Sequence, residues 1–332
     1  MKKRILISDI AKELGVSVTT VSFVLNNKAK EMRISEKLAD KILKYVDKVG
    51  YKPNQLAKSL RTGKTKMIGL LVEDIGNPFF ANIARFIEQE AYLKSYHIVY
   101  CSVGNDDLRA KELVELFFDR QLDGFIITPT EGMQDTINNL VKQGVPVVLF
   151  DRYFPDLHVS HVVSDNLRGA YEATKHLLDN PDHSRVGLIS LYSNQTMMND
   201  RQSGYMQAMD ESRKQAYIQK LSMDQSEEES FGMIQEFIVG NKLDAVLFST
   251  NYLAISGLTA SKSLGFKMPK FVAFDEHTVF SLMDPAITCV AQNIEALASE
   301  LVGGLIQQID KKQEEANRVV IPCQLIIRES SI

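Results

Sequence analysis

Carboxylates, amides and one arginine recur where apolar runs of this chain give way to polar residues. Met67 to Val72 leads into Asp74-Ile75-Gly76-Asn77-Pro78-Phe79-Phe80. Pro146 to Phe150 leads into Asp151-Arg152, and His161-Val162-Val163 into Ser164-Asp165-Asn166. Further on come Ser249-Thr250-Asn251, Asp275-Glu276 after Phe271 to Phe274, and Gln292 after Ile287 to Ala291. Such groups suit bidentate hydrogen bonds to vicinal hydroxyls or to a polar heterocycle, and the Phe79 and Phe80 rings could stack on a ligand face. A strand-end Asp or Asn also serves as a turn former, and adjacent Phe residues also serve a core. Catalytic arrangements find less support. His158 and His161 lack an accompanying HExxH, no GxSxG elbow occurs, and neither GxGxxG nor a phosphate-cradling Walker loop follows any strand. A glycosidase pair could be built from strand-end Asp residues, but it leaves the basic head unexplained. Cys101, Cys289 and Cys323 are far apart with no CxxC, which argues for reduced thiols and against a zinc ribbon. No metal or cofactor is expected.

The elements that must hold these residues alternate. Strand-like runs at Met67–Val72, Ile98–Val103, Gly124–Pro129, Pro146–Phe150, Val186–Leu191, Ala245–Ser249 and Phe271–Phe274 are separated by amphipathic helical stretches. That rhythm predicts an α/β body of parallel sheets, in which ligands gather beyond the carboxyl ends of the strands. The length of 332 residues allows two such halves and a further small domain.

Charge separates the small domain from the rest. Residues 1–63 hold 14 Lys and Arg against 6 Asp and Glu, a net +8, whereas the remainder carries −12. A basic head on an acidic body suggests a polyanion partner for the head alone. Three short helices are predicted there. The first is capped by Ser8 and stops at Gly15. The second is capped by Ser17 and buries Val21, Val24 and Leu25. The third runs from near Ser35 to Gly50 on a Leu38, Ile42, Tyr45, Val46 stripe. Two short helices about the Leu14-Gly15-Val16-Ser17 turn form a helix-turn-helix signature, whose second helix enters a major groove. Its outward residues are Val18, Thr19, Thr20, Ser22 and Phe23, with Ser17 at the cap. After Pro53, residues from Gln55 to Arg61 can form about two helical turns, too few to persist without a partner.

Ser8 to Ser22, then Gly50-Tyr51-Lys52-Pro53-Asn54 and Ala57-Lys58-Ser59-Leu60-Arg61, resemble the headpiece of the LacI/GalR family of bacterial transcription regulators, and the body resembles that family's effector domain. The resemblance implies a three-helix headpiece over 1–53, a hinge helix and linker over 54–65, and a body over 66–332 similar to periplasmic sugar-binding proteins. Within the body it implies one subdomain of about 66–165 with 293–317 and a second of about 166–292 with 318–332. It implies DNA contacts from Ser17, Val18, Thr19, Thr20, Ser22, Phe23, Asn54 and Arg61, and a minor-groove wedge at Leu60. It places effector contacts at Asp151, Arg201, Asn251, Asp275 and Gln292, joined by Phe79 and Phe80. Phe23 stands where the family usually has Arg, Tyr252 where it often has Asp, and Asn293 where Pro is common.

The expected protein is therefore a cytoplasmic repressor, not an enzyme. It would be a homodimer without a leucine-heptad tail, bound to a pseudo-palindromic operator and controlled by a small molecule, with a sugar or sugar derivative favoured. The alternatives are a solute-binding sensor and an α/β enzyme without DNA regulation. The start Met1-Lys2-Lys3-Arg4 is not followed by the apolar run of a signal peptide, and no apolar stretch of membrane-spanning length is read.

Overall fold

A computed structural model describes residues 5–51, 59, 63–222, 224–311 and 315–332. Asn54, Leu60 and Arg61, with most of the expected hinge, lie outside the described residues. The chain falls into two compact units, Met1–Thr65 and Lys66–Ile332.

The first unit contains α1 (Ile7–Leu14), α2 (Val18–Leu25) and α3 (Glu36–Val49). Leu6, not Ser8, is the N-cap of α1, because the Asp9 carboxylate accepts the Leu6 amide at 2.9 Å and closes the first turn one step earlier. Gly15 ends α1 at φ 67°, a left-handed conformation that glycine adopts without a Cβ clash. Ser17 Oγ accepts the Thr20 amide at 3.0 Å to start α2, and Ser35 Oγ likewise starts α3. Ile10, Ala11, Val21, Val24, Ile42 and Val46 make the buried core.

The body is two parallel sheets flanked by helices. The elements of its first half are β1 (Met67–Val72), α4 (Pro78–Leu93), β2 (His97–Ser102), α5 (Asp107–Asp119), β3 (Gly124–Ile127), α6 (Gln134–Lys142), β4 (Val147–Phe150) and β5 (Ser160–Ser164). The second half continues with α7 (Asn166–Leu178), β6 (Val186–Leu191), α8 (Thr196–Glu211), β7 (Tyr217–Leu221), α9 (Glu227–Gln235), β8 (Ala245–Phe248), α10 (Asn251–Leu264), β9 (Lys270–Phe274) and β10 (Thr288–Ala291). The chain then returns through α11 (Ile294–Ile309), β11 (Arg318–Ile321) and β12 (Gln324–Ile326).

The sheet orders are β11-β5-β4-β3-β1-β2 and β12-β10-β9-β8-β6-β7. Apart from the antiparallel β12, every pairing is parallel. Central strands such as Val147–Phe150 are buried along their whole length, as helices on both faces require. The two orders repeat one plan, so β4 corresponds to β9 and β5 to β10.

The chain crosses between halves three times, after Ser164, after Ala291 and between Ile321 and Gln324. The last crossing corrects the expected boundary. Residues 318–321 pair with β5 and complete the first sheet, with Val319 opposite Val162, so the second half regains the chain only after Ile321. α11 also packs on the first half, where Leu297, Leu301 and Leu305 share a core with Ile68, Leu70 and Ile87. Helices α7 and α8 touch through Gly204, where a Cβ would meet the Leu167 carbonyl oxygen at 2.1 Å. No helix among the described residues is long and apolar enough to cross a membrane.

Candidate functional site

Parallel strands put the carboxyl ends of both sheets on one cleft, together with the amino ends of the helices that follow. Corresponding positions carry similar chemistry. Asp151 after β4 and Asp275 after β9 both sit at positive φ, 66° and 70°. Asp tolerates this conformation better than most residues, and unusual backbone gathers at functional sites.

Arg201, on the first turns of α8, is buried with 2% exposure. Its Nε donates to Asn166 Oδ1 at 2.9 Å. One terminal nitrogen donates to the Ser249 carbonyl at 2.6 Å and to Asp275 Oδ2 at 3.1 Å, and the other reaches Asp275 Oδ1 at 3.3 Å. The guanidinium also stacks 3.7 Å from the Phe274 ring centroid. Gln292 Nε2 donates to Asp275 at 2.6 Å, Ser164 Oγ donates to Gln292 Oε1 at 2.5 Å, and Asn166 Nδ2 donates to the Ser164 carbonyl at 3.1 Å. These bonds close a ring through Ser164, Asn166, Arg201, Asp275 and Gln292. The ring straddles two of the three crossings and holds three of the expected effector residues.

Across the cleft, buried Arg152 pairs with Glu73 and donates to Asn105 Oδ1 at 3.0 Å. Its Nε lies 3.4 Å from Asp151 Oδ2 without hydrogen-bonding geometry. Burial pushes the Asp151 carboxyl up to about 6, against the opposing pull of Arg152 and Arg201. Five buried polar atoms here make no hydrogen bond: Thr128 Oγ1, Thr130 Oγ1, Asp151 Oδ2, Arg152 Nε and Asn251 Nδ2. A buried polar group left without a hydrogen bond is costly, so five at one set of strand ends suit a polar ligand.

A hollow of about 270 Å³ opens between the halves, with Glu73, Asn105, Thr130 and Glu131 on one side and Ser193, Gln195 and Tyr252 on the other. Two long contacts join the halves: the Asn194 amide donates to Glu131 Oε1 and the Tyr153 amide to Thr196 Oγ1, each at 3.4 Å. A larger hollow of about 390 Å³ lies near the amino ends of β4 and β5, beside His158 and Gln308. None of the unpartnered buried side-chain atoms belongs to its lining.

The structure thus brings Asp151, Arg201, Asn251, Asp275 and Gln292 to the strand ends facing the cleft. Phe80 is not there: its ring sits in the first half's core, 6.2 Å from Phe150. Phe79 is half-buried against the same core, with its ring edge toward Phe80. The sequence reading noted Arg152 at its strand end but missed Glu73, Asn105, Thr128, Thr130 and Glu131. Their signal was positional, since each lies within a few residues of the carboxyl end of a strand.

In the headpiece, Ser17, Val18 and Thr19 are exposed, and Thr20, Ser22 and Phe23 are half-buried. Ser17 is occupied as the cap, and its Oγ also pairs with Thr20 Oγ1 at 2.8 Å. Val18 and Thr19 are exposed, Ser22 and Phe23 partly so, and none of these side chains carries a nitrogen donor. Lys12, Lys28, Lys30 and Arg33 are exposed nearby in sequence.

Comparisons with known proteins agree with this division. Residues 6–54 match the family profile of bacterial regulatory proteins of the lacI family. Residues 65–329 match that of periplasmic binding proteins and the sugar binding domain of the LacI family. The HTH-type transcriptional regulator RegA of Clostridium saccharobutylicum is 30% identical over 98% of this chain and 99% of its own. The lac repressor dimer bound to operator and the anti-inducer ONPF superposes with a TM-score of 0.86 at 20% identity, covering 99% of this chain and all of that one. A LacI family regulator from Enterococcus faecium with bound ribose gives 0.71 at 25% identity, over 80% of this chain and 98% of its own.

Proposed function

Because the chain belongs to the LacI family of bacterial regulatory proteins, and is thus a DNA-binding transcriptional regulator rather than an enzyme, we propose that it is a repressor whose operator affinity is set by a sugar or sugar derivative held between the halves of its body. The observation that carries this reading is the cleft itself. A closed ring of hydrogen bonds fixes Arg201 and Asp275, and five buried polar atoms at the neighbouring strand ends make no hydrogen bond. The amide and carboxylate groups suit vicinal hydroxyls, and ribose in the E. faecium neighbour is a ligand of that chemistry.

Effector contacts come from Asp151, Arg201, Asn251, Asp275 and Gln292, with Thr128, Thr130 and Glu73 added. Drawing the halves together changes the path of all three crossings, and through the 54–65 segment it changes the cost of ordering the hinge on DNA. This requires the effector to bind the two DNA-affinity states unequally, typically by about 1–3 kcal/mol.

The headpiece docks α2 in the major groove, and a homodimer places two copies on a pseudo-palindromic operator. Exposed Tyr92, Leu93, Tyr100 and Leu116 on α4, β2 and α5 supply apolar surface for the pairing. Val18, Thr19 and Phe23 favour thymine methyls over guanine, because no side chain on α2 offers a bidentate nitrogen donor. Asn54 and Arg61 contact the DNA and Leu60 wedges the minor groove, as in the family. The protein acts in the cytoplasm, where its operator is.

The test is selection of operator sequences from a random duplex library by the full chain, with residues 66–332 as control. Selection of a palindromic site by the full chain only is the expected outcome. Selection of the same site by the control would sink the headpiece assignment.

A further inference from the structure

The charges at the cleft are unequal. Glu73, Asp107 and Glu131 line the hollow, and no Lys, Arg or His is among the described residues that do so. Deeper in, the two guanidiniums are already engaged, Arg152 by Glu73 and Arg201 by Asp275. Asp151 adds a further carboxyl within electrostatic reach of both. Five carboxyl groups therefore face two cations.

Helix amino ends oppose this excess, each with about half a positive charge. That of α5 is already taken by the Asp106 carboxylate, which accepts the Leu108 amide at 2.9 Å and the Arg109 amide at 3.1 Å. That of α10 is capped by Thr250. Only α8 presents an end with neither a side-chain cap nor an acidic first turn. Half a charge does not offset a surplus of three carboxyl groups. The buried and unpartnered Thr130 Oγ1 lines the same hollow, and it can donate to or accept from a hydroxyl without regard to charge.

We infer that the effector is a polyhydroxylated molecule without negative charge, and that Asp107 and Glu131 are the residues that reject phosphorylated counterparts. The inference rests on the sensor reading above and narrows it. Glu131 is the more direct of the two, since it already reaches across the cleft to the Asn194 amide. Asp107 holds the Gly132 amide at 3.1 Å and so shapes the loop that carries Glu131.

The experiment is calorimetric titration of the full chain with matched pairs: ribose and ribose 5-phosphate, glucose and glucose 6-phosphate, adenosine and its monophosphate. In any pair that binds, the unphosphorylated member should bind at least about tenfold more tightly, as like-charge juxtaposition demands. The combined Asp107→Asn and Glu131→Gln variant keeps an oxygen for the Gly132 and Asn194 amides. It should narrow that gap by about threefold or more. A phosphorylated member that binds wild-type protein equally well or better overturns the inference and leaves the sensor reading standing. An unchanged gap in the variant overturns the role given to Asp107 and Glu131. Binding by no member of any pair overturns the inference together with the sensor reading.

Discussion

Arg201→Ala removes the centre of the ring, and its cost can be worked from the geometry. The Asp275 carboxylate, whose side chain is 13% exposed, loses both guanidinium contacts and keeps the Gln292 amide as its side-chain donor. Asn166 Oδ1 and the Ser249 carbonyl lose their donors at the same time. Removing one partner of a buried ion pair costs about 3–5 kcal/mol, chiefly because the other charge is stranded. For a domain near this size each kcal/mol moves the melting temperature by roughly 2–4 °C, so the body should melt about 6–20 °C lower. Removing Asp275 as well strands no charge, so the Arg201→Ala/Asp275→Ala protein should be more stable than the two single losses added together, by about 1–3 kcal/mol. The assay is urea unfolding of the four proteins of this cycle, followed by circular dichroism. A single-variant loss below about 1 kcal/mol, or strict additivity, would refute the claim that these residues form one closed network.

Four other outcomes follow from geometry already given. The native Asp151 carboxyl keeps its proton up to about pH 6, whereas an unfolded Asp releases it near 4. Wild-type stability relative to Asp151→Asn should therefore fall by about 3 kcal/mol as pH rises from 4 to 6 and level off above, in urea midpoints; a flat difference would contradict the burial argument. Gly204→Ala places a methyl against the Leu167 carbonyl and the Tyr171 amide. It should cost about 3 kcal/mol or abolish soluble expression, and near-wild-type melting would show that α7 and α8 can part cheaply. Ser17→Ala should lower headpiece stability by about 1 kcal/mol through loss of the cap on α2, seen as faster hydrogen exchange in that helix. Phe23→Arg should shift the selected half-site toward guanine at one position, and an unchanged site would mean that α2 does not face the bases.

The apolar strands were legible because a strand covered on both faces must be apolar throughout, as in Ala245–Phe248. By the same logic β7 was missed. Its Tyr-Ile-Gln-Lys-Leu lies at a sheet edge, where polar side chains are tolerated. The end of the first subdomain was misplaced because nothing local to Val319 says which sheet it joins; only its register with Val162 does. The cleft residues following β4, β8, β9 and β10 could be found from family position. Glu73, Thr130 and the pairing of Arg152 with Glu73 could not, since they depend on the strand order that sets β1, β3 and β4 side by side. Phe80 was misread because it falls in the first turn of α4, on the face that packs into the core.

The return of α11 and β11 to the first half has a consequence during synthesis. The first sheet lacks its edge strand and part of its apolar filling when Ser164 leaves the ribosome. It stays so until the residues from Ile294 onward emerge, roughly 130 residues later. At about 5–20 residues per second this leaves Ile68, Leu70 and Ile87 without Leu297 and Leu301 for roughly ten seconds. Apolar surface of the first half therefore stays uncovered on the nascent chain until then, the kind of surface that holding chaperones bind. The first half of the body becomes complete only when nearly the whole message has been read.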